Sequence, residues 1–537
     1  SWTLFFMLLP SCAIEVYSGG VVNGAAALSF AGNASVTNSG DINVVGTATG
    51  YYGANGIVAF AGNGSAYVDN SGSVSATWTG ILAASARAVD AQGQTGVSVN
   101  NSGSLYANGK YAYGVYALSS GGDVSVTNTD TGEIEFYSYS GSGFGVLGLA
   151  SLGDVSIDNS GSIGGYAYGQ SVGIFGLADQ GDVSVDNSGT VTAITGGNAA
   201  AAIFARADYG TASVDNSGDI YASVDGINGF AGGAAYGIIA RGEYASVSNS
   251  GNIDVLGYDT AIGIAANSYY GSAVTNTGGS ISVAALGNGT GIGAQSVYGD
   301  VMVDNASDLD VIGLYGSATG INAVAGGDAS VTNSGSIYAG SLYGTSIGIY
   351  GYSVGGDVTI DNSGDLTAIS YYGLADGIFA SGANVDVTNA GAIEVYGYTW
   401  AAGIEAQGAD STTVSNSGDI AVDSAGFLQV QDYYGVIGYA PGAQAFGIYA
   451  TGGEGGVDLT NSGTISVDGG YVAGIEVQSS GDIGVSNSGD IVAGSGYNAS
   501  YNSDNGDYYA DGTQAATGIN ATSNRAGGHV GVTNSGE

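Results

Sequence analysis

The chain has 537 residues, 44% of them hydrophobic, so it can bury a large core and its size forces neither disorder nor a small stapled fold. Charged residues make up only 9%, with Gly 101 and Pro 2, a composition of tight turns that lacks the long charged side chains of surface helices. Five Lys+Arg against 46 Asp+Glu give a formal charge of -41, which excludes nucleic acid as a partner; Cys12 and His529, each the single residue of its kind, exclude an internal disulfide and a Cys/His zinc cluster.

Taken in chain order, residues 1–19 stand apart from the rest. Ser1 to Ala13 carries an apolar run, Pro10 and small residues around Cys12. This reads as the end of a secretory signal, of general or lipoprotein type, or else as an ordered apolar cap or a plug for a neighbouring molecule. No later stretch approaches 18 consecutive apolar residues.

From residue 20 to 537 one signal dominates: Asn, then Ser, Thr or Ala, and usually Gly, after a short alternating strand. The asparagines are Asn38, Asn70, Asn101, Asn128, Asn159, Asn187, Asn216, Asn249, Asn276, Asn305, Asn333, Asn362, Asn389, Asn416, Asn461, Asn487 and Asn534. Their spacing is roughly 28 residues, a solenoid period. Between them recurs Gly-Ile-x-Ala, as in Gly56-Ile57-Val58-Ala59, Gly173-Ile174-Phe175-Gly176 and Gly447-Ile448-Tyr449-Ala450.

Each repeat therefore holds three short strands, in the sixth Gly173 to Ala178, Asp182 to Asp186 and Thr190 to Ala193. Three strands cannot close a core alone, but stacked turns pair each strand with its equivalents above and below. The expected fold is all-β, a right-handed parallel β-helix (β-solenoid) of about seventeen rungs, on the order of 80 Å long at the strand spacing. The asparagines are expected to stack as an amide ladder, with Asn and Gly supplying left-handed backbone angles at the turn. Variable lengths all fall between Asn and the following Gly, with loop insertions near 421–446 and 492–517 that include Phe427 to Pro441 and Tyr497 to Asp511. Insertions on one edge of a solenoid commonly build a binding face, and tyrosines gather there (Tyr51, Tyr52, Tyr371, Tyr372, Tyr433, Tyr434, Tyr508, Tyr509), suited either to contact or to covering the core.

Repeats such as Val185-Asp186-Asn187-Ser188-Gly189 and Val485-Ser486-Asn487-Ser488-Gly489-Asp490-Ile491 resemble the passenger domains of Gram-negative autotransporters and related β-helical surface adhesins. The resemblance implies an extracellular, bacterial cell-surface location and a structural or adhesive role, filament-forming or acting by self-association, with glycans or cell-surface components as further partners. It implies a membrane link only through an anchor outside the repeats or at the N-terminus. A surface-layer subunit and a β-helical carbohydrate-active enzyme are the alternatives.

Catalytic residues are not expected. The cations are Arg87, Lys110, Arg206, Arg241 and Arg525, none in a distinctive motif, and most acids repeat in phase with the rung as scaffold. No cofactor is expected beyond weakly bound calcium, for which Asp504-Asn505-Gly506-Asp507 with Asp511 offers oxygen ligands without the EF-hand spacing. In-phase aspartates (Asp158, Asp186, Asp215 and Asp300, Asp328, Asp357) should repel one another. Finally, the residue between the inward Ile and Ala of Gly-Ile-x-Ala points out, and over seven rungs this column reads Val58, Leu82, Tyr116, Leu147, Phe175, Phe204 and Ile239. Seven apolar residues in line make a candidate interaction ridge. Further along the column, Glu405 and Glu476 are read as marks of an outward face.

Overall fold

The computed structural model describes residues 13–18, 21–47, 53–80, 84–225, 232–424, 443–495, 499–502, 507–510, 516–524 and 528–536. Every regular element among them is a strand, and no helix is long and apolar enough to cross a membrane. The strands stack in parallel as a β-solenoid of about fifteen turns, close to the expected number. Two compact units divide the chain, Ser1–Ser280 and Ile281–Glu537.

In the first unit a representative turn is built from Gln170–Ala178, Val183–Asn187 and Thr190–Thr195. The alternation of Val183-Ser184-Val185-Asp186-Asn187 puts Val183, Val185 and Asn187 inside and Ser184 and Asp186 outside, as an extended chain requires. Each strand pairs residue for residue with the next turn: Val183 with Ala212, Val185 with Val214, Asn187 with Asn216. One turn of the second unit, Ser346–Ser353, Val358–Asn362 and Leu366–Ser370, pairs with the following one in the same in-register way. Columns of Val, Ile and Ala fill both interiors, each larger side chain contributing about 1.5–3 kcal/mol by leaving water.

The glycine of Gly-Ile-x-Ala lies where the long strand meets the third strand of its own turn. A Cβ on Gly173 would strike Cγ1 of Val191, and one on Gly377 would strike Cγ2 of Ile393. Turn asparagines do not adopt left-handed angles: among the described residues no non-glycine residue has a positive φ. Each asparagine instead closes an extended strand. The glycine two residues on is required for proximity rather than for φ, since a Cβ on Gly189 would meet the carbonyl oxygen of Gly161 in the neighbouring turn.

Within residues 1–19, Ile14–Ser18 is a strand paired in parallel with Ile42–Gly46, while Cys12 lies outside the described residues. Residues 425–442 also lie outside them, Phe427 to Pro441, Tyr433 and Tyr434 included, as do Tyr51, Tyr52, Asp504, Asp511 and Arg525. In the 492–517 insertion, Ala499–Asn502 pairs antiparallel with Asp507–Ala510.

Candidate functional site

Two polar ladders serve the scaffold. In the first unit Asn38, Asn70, Asn101, Asn128, Asn159, Asn187, Asn216, Asn249 and Asn276 are buried and linked in succession, each Nδ2 donating to the next Oδ1 at 2.6–2.8 Å. In the second unit Asn305, Asn333, Asn362, Asn389, Asn416, Asn461, Asn487 and Asn534 are linked likewise at 2.7–2.8 Å. The same Nδ2 also caps the local turn, as Asn187 does to the Gly189 carbonyl at 3.0 Å. Burying an amide is tolerable because both ends are satisfied.

The second ladder uses aspartates. Asp300 accepts the backbone N–H of Asp328 at 2.8 Å, and Asp328 that of Asp357 at 2.9 Å; Asp123, Asp154 and Asp182 form the equivalent series in the first unit. Repetition there is therefore bonded, not merely repulsive. Asp158, Asp186 and Asp215 differ, standing side by side in register with exposed side chains. Partial burial and then the charges of Asp215 and Asp158 push the Asp186 carboxyl upward. Salt should relieve this strain. Raising NaCl or adding a divalent cation is expected to raise the stability and with it the melting temperature, and Asp186→Asn to remove less than about 1 kcal/mol of that gain because the site is solvated. A melting temperature indifferent to salt and chelator contradicts it.

The outer column of the first unit reads, by register, Ala26, Val58, Asp90, Tyr116, Leu147, Phe175, Phe204, Ile239 and Ala265. Leu82 lies outside the described residues, and the position expected for it belongs to Asp90. The reason is local: Ala88 stands where other turns have the glycine, and Gly80-Ile81 imitates the motif without occupying its place. Asp90 is buried and forms an ion pair with Arg87 at 2.8 Å; Gln92 donates to it, also at 2.8 Å. Arg87 in turn lies 4.5 Å from the Tyr116 ring centre and 5.5 Å from that of Tyr113.

Beyond this polar end the column is apolar, but it is not uniformly exposed. Val58, Tyr116, Phe175, Phe204 and Ile239 are half-buried, whereas Leu147, set in register between the larger Tyr116 and Phe175, is only 8% exposed. Phe175 meets Phe204 edge-on at 5.0 Å and Phe144 at 6.1 Å; Phe144 stacks on Tyr113 at 5.6 Å. The ridge is thus wider than one column. Two residues on, Leu118, Leu149 and Leu177 form a parallel half-buried row.

In the second unit the same rung position runs Gly293, Asn322, Tyr350, Phe379, Glu405, Tyr449, Glu476 and Asn520. Glu405 and Glu476 are not marks of a solvated face: they are 8% and 6% exposed. Trp400, Tyr449 and Tyr471 pack around Phe446, Ala402 and Ala473, and this aromatic cluster shields the acids. Gln407 donates to Glu405, and Gln478 to Glu476 at 3.2 Å, repeating the partnership of Gln92 with Asp90. An acid followed two residues later by Gln was the signal available in sequence. Trp400 Nε1 donates to Asp376 at 2.9 Å, and burial, followed by the nearby Glu405 charge, pushes the Asp376 carboxyl up to about 8. Burial also raises Glu405.

Among the described residues no group of three or more His, Cys, Asp or Glu is placed to hold a metal ion. No family model matches the chain, and no curated protein or solved structure matches it.

Proposed function

We propose that this chain is an extracellular structural or adhesive scaffold of the cell surface, resembling β-helical adhesins, that packs laterally against a second copy of itself. The supporting observation is the apolar outer face of the first unit. Half-exposed Tyr116, Phe175, Phe204 and Ile239 with the flanking leucines give an apolar strip on the order of several hundred Å², whereas the strand that follows Phe175 in its own turn points Ser184 and Asp186 outward. An isologous contact between two such strips suits a chain of charge -41, because the meeting surfaces carry little of that charge. Salt should then strengthen association, by screening repulsion and by favouring apolar burial.

The test is sedimentation of the purified chain over a range of salt. Association that grows with salt is expected, and Leu147→Ser with Phe175→Ser and Phe204→Ser is expected to abolish it while the far-ultraviolet spectrum stays that of the parent. Because Leu147 is buried, the Phe175→Ser/Phe204→Ser pair is the second variant. Unaltered association of a folded variant overturns the proposal.

A further inference from the structure

Two of the five cations of this acidic chain stand next to each other. Arg206 and Arg241 are register partners on adjacent turns of the first unit, both pointing outward at the mouth of a cleft of about 410 Å³. Like charges one strand spacing apart repel even in water, and only Arg206 has a carboxylate partner to offset this. Arg206 is oriented by its Nε, which donates to Asp208 Oδ1 at 2.7 Å. Arg241 is exposed and makes no ion pair among the described residues.

The rest of the lining is specific in kind. Tyr209, 70% exposed, and the half-exposed rings of Tyr269 and Tyr270 supply flat amphipathic surfaces, and Asp208 and Glu243 supply carboxylate acceptors. We infer that this cleft binds a carboxylate-bearing saccharide of the uronic acid class. The sugar carboxylate takes the guanidinium of Arg241, where a planar fork gives a two-point contact; ring C–H faces lie on tyrosine; and hydroxyls donate to Glu243. Each residue type in the cleft then has a use. An acidic protein surface fits less well, since Asp208 and Glu243 would repel it without gaining hydrogen bonds. The volume is within the range of small-ligand sites.

The site adjoins the ridge, Arg206 lying two residues beyond Phe204, yet the two proposals fail separately. Calorimetric titration of the full chain at low salt with a trigalacturonate should show saturable binding. A neutral galactose trisaccharide should bind at least tenfold more weakly. Arg241→Gln should cost at least tenfold in affinity for the acidic sugar, and Tyr209→Ala several-fold, while Lys110→Gln, outside the cleft, changes nothing and Arg241→Gln leaves sedimentation unaltered. No saturable binding, equal affinity for the neutral sugar, or indifference to Arg241→Gln overturns the inference. So does an Arg241→Gln variant that loses self-association instead, which would make the cleft a protein contact.

Discussion

Asn187→Asp should be among the most damaging single-atom-scale changes this chain can suffer, costing the first unit about 3–5 kcal/mol. Asn187 is 1% exposed; it accepts from Asn159 and donates to both Asn216 Oδ1, at 2.6 Å, and the Gly189 carbonyl, at 3.0 Å. A carboxylate there keeps the acceptor but loses the donor. Two oxygen acceptors then face a third in a buried site, and the new charge has no partner. Asn187→Ala removes the same bonds without the charge and is expected to cost less, about 2–4 kcal/mol. Ser184→Ala, on the outer face of the same strand, should stay within about 0.5 kcal/mol. Denaturant unfolding of the three variants measures this ranking, and an Asn187→Asp chain as stable as Ser184→Ala refutes it.

The second large effect concerns pH. Asp376 has a folded-state value raised from an ordinary 3.8 to about 8, so between these limits the folded chain holds a proton that the unfolded chain has lost. Stability contributed by that proton is complete at low pH and falls as pH rises from about 4 towards 8. At 1.36 kcal/mol per unit, the difference is on the order of 5 kcal/mol, and Glu405, raised by the same burial, adds in the same direction. Asp376→Asn keeps an acceptor for Trp400 Nε1 and removes the titration. The variant is expected to differ from the parent by a constant amount below about pH 4, and to gain on it progressively above that, melting several degrees higher relative to that baseline near pH 9. If both lose stability equally as the pH is raised, the buried carboxyl is not the cause.

Much of the fold was legible because the scaffold repeats its chemistry in its spelling. Asn187 and its sixteen counterparts each end a strand, and the alternation around them sets which side chains enter the core. Misreadings came where one residue type can serve two needs. Glycine in Asn-Ser-Gly suggested unusual backbone angles, whereas Gly189 answers a close approach to Gly161 that no local reading reveals. Gly80-Ile81 looked like the repeat motif, although the nearly constant distance from that motif to the next asparagine pointed beyond it, towards Ala88 before Asn101.

The acids were harder. Glu405 and Glu476 looked solvated because burial of a charge depends on what its own and neighbouring turns together lay over it, here Trp400, Tyr449 and Tyr471. Arg206 and Arg241 are 35 residues apart, and only the register of one turn upon the next makes them neighbours. Sites of this kind are properties of stacking, not of motifs.

That register is the claim on which the ladders, the ridge and the cleft all depend, and pairwise cysteine cross-linking measures it directly. With Cys12→Ser as background, Ser184→Cys combined with Ser213→Cys places two thiols on register partners one strand spacing apart, within disulfide reach. Ser184→Cys combined with Asp215→Cys keeps the same face but slips by two residues, beyond that reach. Rapid oxidation of the first pair and not the second is the expected result; preferential cross-linking of the slipped pair, or of neither, contradicts the stacking.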